Sequence, residues 1–495
     1  MSTKLLPEVK TFLTAAPRPM YIGGQFVFAA DGQTFDTHDP GTGETLASVA
    51  AGGAAEIDAA VAAAQKAFRG PQWSGLPAND RAVILHRLAD QIQKHAAVLA
   101  QLESLDVGKP LAQAAGFDIP EASRAFRYFA DLSVHTRRRE PIALAGMDAY
   151  TVRAPYGACG FILPWNFPFL LLGWNLAPAL AAGNTVVLKP AEDTPLSSLY
   201  FCQLAQEAGV PDGVINVVPG FGRTAGAALA KHSGLSRIAF TGSPEVGRLV
   251  GEASGRNLIP CKLELGGKGA AVVFDDVDIG KTADQLAAAV TLNCGQVCCT
   301  ATRWLVQERI YDRFVDTVRD RLKQIHLGHG LDASTEMGPV VSEKQRQRVL
   351  GYLDQGVKQG ATVVLEGGAA APPQSPRGYF VKPALLAGAP DNVCAREEIF
   401  GPVAYLLKFK TENQAVELVN HSRYGLANSV WTADLARANR VAEALVAGNS
   451  WINAHNVFAY GLPYGGTNLS GFGGGVNGPQ TLLDYLREQS VARPM

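Results

Sequence analysis

The sequence predicts an α/β protein made of two α/β units, and three observations carry that reading. Short apolar runs recur at intervals of about 20 to 30 residues with helix-like segments between them, the pattern of parallel strands joined by crossover helices. At 495 residues the chain exceeds one ordinary core, so two to four domains are expected. Hydrophobic residues make up 47% of it and charged residues 18%, a composition that fills cores and still solvates a surface.

In chain order, residues 57–68 and 79–105 show Ala-rich helical periodicity. Strand-like runs follow at 159–163 (CGFIL), 185–189 (TVVLK), 214–218 (VINVV), 237–240 (RIAF) and 270–274 (AAVVF). A second set lies at 303–307, 362–365, 403–408 and 428–432, and the two units join near 265–270. The stretch 367–378 (GGAAAPPQSPRG) reads as a surface loop, because the α/β pattern resumes directly after it. Around 133–156 the rhythm breaks, and 480–492 fits neither sheet. Two such leftover segments are expected to pair as an arm that contacts another subunit.

Several function classes are excluded at this level. Lys plus Arg (44) balances Asp plus Glu (45) for a formal charge of −1, so no electrostatic footprint for nucleic acid or an anionic membrane is expected. Arg137-Arg138-Arg139, followed by Glu140, reads as a solvated turn. The first 19 residues lack the apolar core of a secretory leader. The apolar stretch 161–182 approaches the length of a membrane span, yet it holds Pro164, Pro168, Pro178, Asn166 and Asn175; a turn followed by a buried helix is the better expectation. Seven cysteines, an odd number scattered through a long chain, argue for reduced thiols in the cytoplasm.

Some short segments carry chemistry. Gly220-Phe221-Gly222, with Thr224 and Gly226, lies between a strand-like and a helical run, where backbone N–H groups can approach a phosphate. Its spacing is not GxGxxG, and glycines that only close a turn would look the same. Phe240-Thr241-Gly242-Ser243 is a second such turn, with Ser243 placed to cap a helix. Lys189 and Glu192 follow a strand and could reach a nucleotide ribose; a surface ion pair is the plainer alternative. An acid there would disfavour a 2′-phosphate, hence NAD over NADP. Glu264, after a strand and before two glycines, sits where desolvation would raise its pKa towards general-base work, although an ion-paired Glu is also compatible.

The segment NCGQVCC (293–299) holds three cysteines. Their spacing is not that of a zinc site, so no metal is expected. A vicinal disulfide would be strained, and packing accounts for one or two of the thiols. Gly295-Gln296 looks like a tight turn into a helix or strand near Thr300, and a helix N-terminus there would favour the Cys298 thiolate.

Taken together, PWNFP (164–168), KPAED (189–193), FTGSPEVG (240–247), LELGGKG (263–269), GQVCC (295–299) and EEIFGPV (397–403) resemble the NAD(P)-dependent aldehyde dehydrogenase superfamily, in the family's order and over about residues 20 to 490. The resemblance implies a Rossmann-like dinucleotide-binding domain (1–132 and 157–266), a second α/β catalytic domain (267–466) and a small β-arm for oligomerisation (133–156 and 479–495). It implies Cys298 as nucleophile, Glu264 as general base, and Asn166 with the Cys298 backbone N–H as oxyanion donors. Loss of one such donor typically costs about 10²–10³ in rate. Lys189 and Glu192 match contacts to the adenosine ribose, Gly222 and Ser243 the phosphate and adenine-side turns, and Glu398 with Phe400 the residues that hold the nicotinamide half; Phe240, Gly242 and Trp165 are expected among the cofactor contacts. Phe167, Phe169, Leu171, Trp174, Val297, Cys299, His455 and Phe458 match the aldehyde tunnel. Mostly apolar, they suggest an uncharged aliphatic or aromatic aldehyde. A homodimer or homotetramer is implied.

The chain also departs from the family pattern. Asn468 replaces a usual Lys, Gly474-Gly475 replace an Arg-Glu pair, Asn175 stands where many members carry Lys, and Gly269 where Ser or Asn is common. A CoA-acylating relative generally lacks the base, so Glu264 argues for hydrolysis, and an inactive structural relative would not need Cys298, Glu264 and Asn166.

Overall fold

The computed structural model describes residues 3–15 and 17–495. The leaderless reading of residues 1–19 therefore touches Met1, Ser2 and Ala16, which lie outside the described residues.

Two large sheets organise the chain. The first runs Gln25–Val27, Met20–Ile22, Ile215–Val217, Thr185–Lys189, Ala158–Ile162, Arg237–Thr241, Cys261–Glu264, Gly471–Phe472. Its inner strands are parallel, with Ile162 opposite Lys189 and Phe240, and Thr241 opposite Glu264. The second runs Thr362–Leu365, Ala384–Ala387, Val403–Phe409, Ala301–Gln307, Gly269–Val273, Ala427–Trp431, Asn449–Ile452. The apolar run at 270–274, grouped above with the first set, thus belongs to the second sheet. Sequence spacing alone does not reveal which sheet a fully buried strand joins.

Both faces of each sheet are covered. One face of the first packs on the helices Ala78–Lys94, Ala96–Val107, Ile119–His135 and Pro168–Ala182, and the other on Ala54–Arg69 and Pro244–Asn257. That is why these strands read as unbroken apolar runs. The expected single helix over 79–105 breaks at His95, which ends one helix and starts the next. The 161–182 stretch resolves into a strand end, a turn and the buried helix Pro168–Ala182, which tolerates Pro178. Among the described residues no helix is long and apolar enough to cross a membrane.

Outside the two sheets, Arg139–Leu144, Met147–Pro155 and Leu486–Pro494 form a three-stranded antiparallel sheet, with Leu486 opposite Pro155 and Pro494 opposite Met147. Arg137–Arg139 is not a plain solvated turn: Arg138 donates to the Ala182 carbonyl at 2.7 Å, and Arg139 lies 3.6 Å over the Tyr150 ring. Part of the supposed 367–378 loop is strand, since Gly368–Ala370 pairs with Phe380–Lys382.

Candidate active site

The parallel strands of the first sheet end along one edge, so the residues that follow them collect there: Pro164–Phe167, Gly242 and Ser243, and Leu265 and Gly266. Facing them are turns that precede strands of the second sheet, Val297–Cys299 before Ala301 and Glu398–Phe400 before Val403. Between the two edges lies a cleft of about 700 Å³ lined by all of these except Ile399, which is buried in the core of the second sheet. The ends of parallel strands are the usual place for a ligand in such folds.

The Cys298 turn is held by unusual backbone. Asn293, Cys294 and Gly295 are all left-handed, at φ +47°, +55° and +71°. A Cβ on Gly295 would fall 2.2 Å from the Gly401 carbonyl carbon, so only glycine fits. Gln296, fully buried, ties the turn down: its Nε2 donates to the Asn293 carbonyl at 2.9 Å and its Oε1 accepts from Val341 N–H at 2.9 Å. The strand Ala301–Gln307 follows, and no helix begins at Cys298. A helix dipole is therefore not what activates the thiol.

Other groups do so. The Cys298 sulfur lies 3.4 Å from the Tyr464 hydroxyl. The Cys299 thiol can donate to the Cys298 sulfur or to Asn456 Oδ1 at 3.4 Å. A hydrogen bond from Cys299 holds the Cys298 thiol below the ordinary cysteine value, against the burial that would raise it, with Tyr464 adding to the effect. In the other six cysteines burial pushes the thiol up. Of the seven cysteines, Cys298 alone has its thiol held below the ordinary value, the direction that favours a nucleophile.

Asn166 is buried beside this turn; its Nδ2 donates to the Gln296 carbonyl at 3.0 Å, which leaves a second N–H. The Cys298 backbone N–H makes no backbone–backbone hydrogen bond among the described residues and lies against its own sulfur. Glu264, 7% exposed, lines the same cleft, and neither carboxylate oxygen has a hydrogen-bond partner among the described residues. Burial pushes its pKa up to about 8, with Lys262 opposing and Cys298 adding to the rise. The site therefore gathers a thiol held below its ordinary pKa, a side-chain amide donor and a carboxyl of raised pKa.

Of the expected tunnel residues, Phe167, Leu171, Trp174, Val297, Cys299 and Phe458 line the cleft. Phe169 does not: it is fully buried on the far side of its helix, edge-on to Phe201 at 6.1 Å. His455 does not either. Its ring is tied to Ser429 Oγ at 3.0 Å and to the Cys299 carbonyl at 2.9 Å, beneath the cysteine turn. Tyr464, Asn456, Gln113, Phe117 and Asp118 complete that end. Aromatic rings dominate it: Trp174 to Phe458 is 5.4 Å, Phe458 to Tyr464 5.4 Å and Phe117 to Phe458 5.8 Å between centroids. Asp118 is neutralised by Lys109 at 2.5 Å. Asn175 lines the cleft and donates to the Leu171 carbonyl at 2.9 Å.

At the other end, Glu398 Oε1 accepts from Gly267 N–H at 2.8 Å, and Trp165 stands edge-on to Phe400 at 5.3 Å. A Cβ on Gly266 would strike Glu398 at 2.3 Å. Gly242 and Ser243 line the cleft at the start of the helix Pro244–Asn257, where Ser243 Oγ accepts from Val246 N–H at 3.3 Å. Phe240 backs this turn from the core rather than lining the cleft; its ring lies 2.5 Å from where a Gly242 Cβ would be. A recess of about 330 Å³ shares Asp193 and Ser342 with the cleft and includes Glu192. There Lys189 Nζ donates to Glu192 Oε2 at 2.7 Å and Gly222 N–H to Glu192 Oε1 at 3.2 Å. Burial alone would raise the Glu192 pKa, but Lys189 and these donors hold it below the usual carboxylate range.

Known proteins are similar to this chain in sequence and in architecture. A model of the aldehyde dehydrogenase family matches residues 26–491. The chain is similar to the mitochondrial aldehyde dehydrogenase of Rattus norvegicus, with 44% identity over 95% of this chain and 92% of that one. It is also similar to the mitochondrial benzaldehyde dehydrogenase of Antirrhinum majus, at 42% over 95% and 88%. The NAD+ complex of an aldehyde dehydrogenase from Bacillus cereus superposes with a TM-score of 0.97, at 40% identity and full coverage of both chains.

Proposed function

The chain belongs to the aldehyde dehydrogenase family and is an NAD-dependent aldehyde dehydrogenase, and from that premise we propose that it oxidises an uncharged aliphatic or aromatic aldehyde to the acid through a thioester on Cys298. The observation that carries the reading is the convergence of the Cys298 thiol, the Asn166 amide and the unpartnered Glu264 carboxyl on one cleft.

The cofactor half suits NAD+. Glu192 can accept from ribose hydroxyls through its remaining lone pairs, and its negative charge would repel a 2′-phosphate, which favours NAD over NADP. Lys189 and Gly222 hold Glu192 in place, Gly242 and Ser243 offer a helix N-terminus to the diphosphate, and Trp165, Glu398 and Phe400 border the nicotinamide side. Bound there, NAD+ supplies the hydride acceptor that turns a thiohemiacetal into a thioester. Before that step the Cys298 thiolate adds to the aldehyde carbon, while Asn166 Nδ2 and the Cys298 N–H donate to the developing oxyanion. After it, Glu264 takes a proton from the water that attacks the thioester, and Cys298 is regenerated. Glu264 thus favours hydrolysis over transfer to CoA.

The aromatic lining around Trp174, Phe458 and Tyr464, and the neutralised Asp118, favour an uncharged substrate. The likeness to a benzaldehyde dehydrogenase supports the aromatic option. A panel of propanal, benzaldehyde, a carboxylated aldehyde and a quaternary-ammonium aldehyde tests this by NADH absorbance with NAD+. The expected order puts propanal and benzaldehyde at least about tenfold higher in kcat/KM, the scale on which pocket contacts discriminate. A preference for either charged aldehyde would overturn the substrate assignment.

The three-stranded sheet supports a role in assembly. Among the described residues its outer strands leave edges unpaired, and Ile142 and Leu144 are exposed on it; bare edges and apolar side chains invite a partner. On this reading the enzyme is a homodimer or homotetramer. Removal of residues 486–495 should lower the oligomeric state in sedimentation, and an unchanged state would refute the role. Seven free thiols suit a reducing compartment, which supports the cytoplasm.

A further inference from the structure

His455 lies beneath the cysteine turn rather than in the cleft, and its two hydrogen bonds leave it one arrangement. Nε2 is 2.9 Å from the Cys299 carbonyl oxygen, and Nδ1 is 3.0 Å from Ser429 Oγ. A carbonyl only accepts, so Nε2 carries the proton and donates it to Cys299. Burial pushes the His455 pKa down to about 4, so the ring is neutral and Nδ1 is an acceptor to which Ser429 donates. Ser429 Oγ in turn accepts from Trp431 Nε1 at 2.9 Å. The chain of donors thus runs one way, from Trp431 to Ser429 to His455 to the Cys299 carbonyl. Ser429 and Trp431 are buried, and the Trp451 ring stands edge-on to His455 at 4.8 Å between centroids. A flipped ring or the other tautomer would leave a member of this chain unpaired.

The loop that carries His455 is itself fixed. It follows the strand Asn449–Ile452, and Asn453 clamps it to the end of the neighbouring strand Ala427–Trp431. Asn453 Oδ1 accepts from Thr432 N–H and its Nδ2 donates to the Thr432 carbonyl, both at 2.9 Å, while its own N–H donates to the Val430 carbonyl at 2.8 Å. Asn456, next to His455, sets its Oδ1 3.4 Å from the Cys299 sulfur. One loop therefore grips Cys299 by its carbonyl and offers its thiol an acceptor. Upstream of Cys298 the turn is tied down by Gln296. Downstream, His455 holds Cys299, and Thr300 Oγ1 donates to the Ala289 carbonyl at 2.8 Å.

We propose that His455 is a positioning residue for the nucleophile: held in one tautomer by Ser429 and Trp431, it fixes the Cys299 peptide so that the Cys298 sulfur keeps its hydrogen bonds from the Cys299 thiol and the Tyr464 hydroxyl. The proposal rests on Cys298 being the nucleophile. The Cys299 thiol has one proton and two acceptors, the Cys298 sulfur and Asn456 Oδ1. With its carbonyl released, the Cys299 peptide is free to tilt and turn that proton to Asn456, and the Cys298 thiolate then loses a donor. The same tilt lengthens the 3.4 Å contact between the Cys298 sulfur and the Tyr464 hydroxyl. The titratable groups facing the Cys298 sulfur are Cys299, Tyr464, Glu398 and Glu264, and all four are retained in the variants below.

The test follows alkylation of the full chain by iodoacetamide from pH 5 to 10, read from the mass of the Cys298 peptide. His455→Leu removes both hydrogen bonds of the ring. It should move the alkylation midpoint up by about one pH unit and lower the rate at pH 7 about tenfold, with the plateau at high pH kept. The NADH burst with benzaldehyde at pH 7 should slow by the same factor. His455→Gln, whose amide still donates towards the Cys299 carbonyl, should recover most of the shift. Ser429→Ala frees the tautomer; it should shift the midpoint less, in the same direction, and it carries the test if His455→Leu does not fold. Wild-type midpoints in both His455→Leu and Ser429→Ala would overturn the proposal. So would a loss equal at every pH that His455→Gln does not recover, which is what a merely structural role would give. Wild-type alkylation on Cys299 in place of Cys298 would instead overturn the nucleophile reading; alkylation on Cys298 with unmoved midpoints in the variants removes only the role of His455.

Discussion

Cys298→Ala should abolish aldehyde-dependent NADH formation, a loss on the order of 10⁶-fold, as for other covalent nucleophiles. Cys299→Ala should keep turnover within about tenfold of wild type, the residual effect being the shift described below. The asymmetry follows from the environment of the two sulfurs. Cys299 is buried, its backbone carbonyl accepts from or is capped by His455, and burial pushes its thiol well up. Cys298 reaches the cleft and receives hydrogen bonds from the Cys299 thiol and the Tyr464 hydroxyl. Removal of the Cys299 thiol should therefore raise the Cys298 pKa and move the acid limb of acylation to higher pH. Steady-state absorbance across pH checks both variants, and activity that survives in Cys298→Ala but not in Cys299→Ala would reverse the assignment.

Glu264→Gln should show a full NADH burst followed by turnover slowed by about 10²–10⁴, the range for loss of a general base. The wild-type pH dependence has a definite sign. A carboxyl raised to about 8 is mostly protonated at pH 7 and cannot take a proton from water. Hydrolysis-limited turnover should then rise with pH through about 8 in the wild type and lose that rise in Glu264→Gln. Stopped-flow NADH absorbance followed by steady-state rates at several pH values separates the two phases. Unchanged turnover in the variant would remove Glu264 from the base role.

Much of this architecture is legible in the chain because parallel strands buried on both faces are apolar without interruption and their helices are periodic. The strand TVVLK is read at 185–189 and lies at Thr185–Lys189. The assignment of 270–274 to a sheet was not legible, because partner choice is set by contacts far along the chain. The helix break at His95 leaves the apolar period intact on either side. At the site, the turns that carry Cys298, Glu264 and Asn166 are local in sequence and were visible as motifs. Which way Phe169 faces on its helix, and the hydrogen bonds that pin His455, depend on packing. Tyr464 and Asn456 meet the cysteine turn across separations of 166 and 157 residues, and no local pattern near NCGQVCC announces them.

The most direct test of the account is the mass of the intact Glu264→Gln protein, quenched in acid after mixing with NAD+ and benzaldehyde. An acyl adduct that maps to the Cys298 peptide, appears with the NADH burst and is absent from the Cys298→Ala, Glu264→Gln double variant is the predicted result. An adduct on Cys299, or a burst of NADH with no protein-bound acyl group, would contradict it.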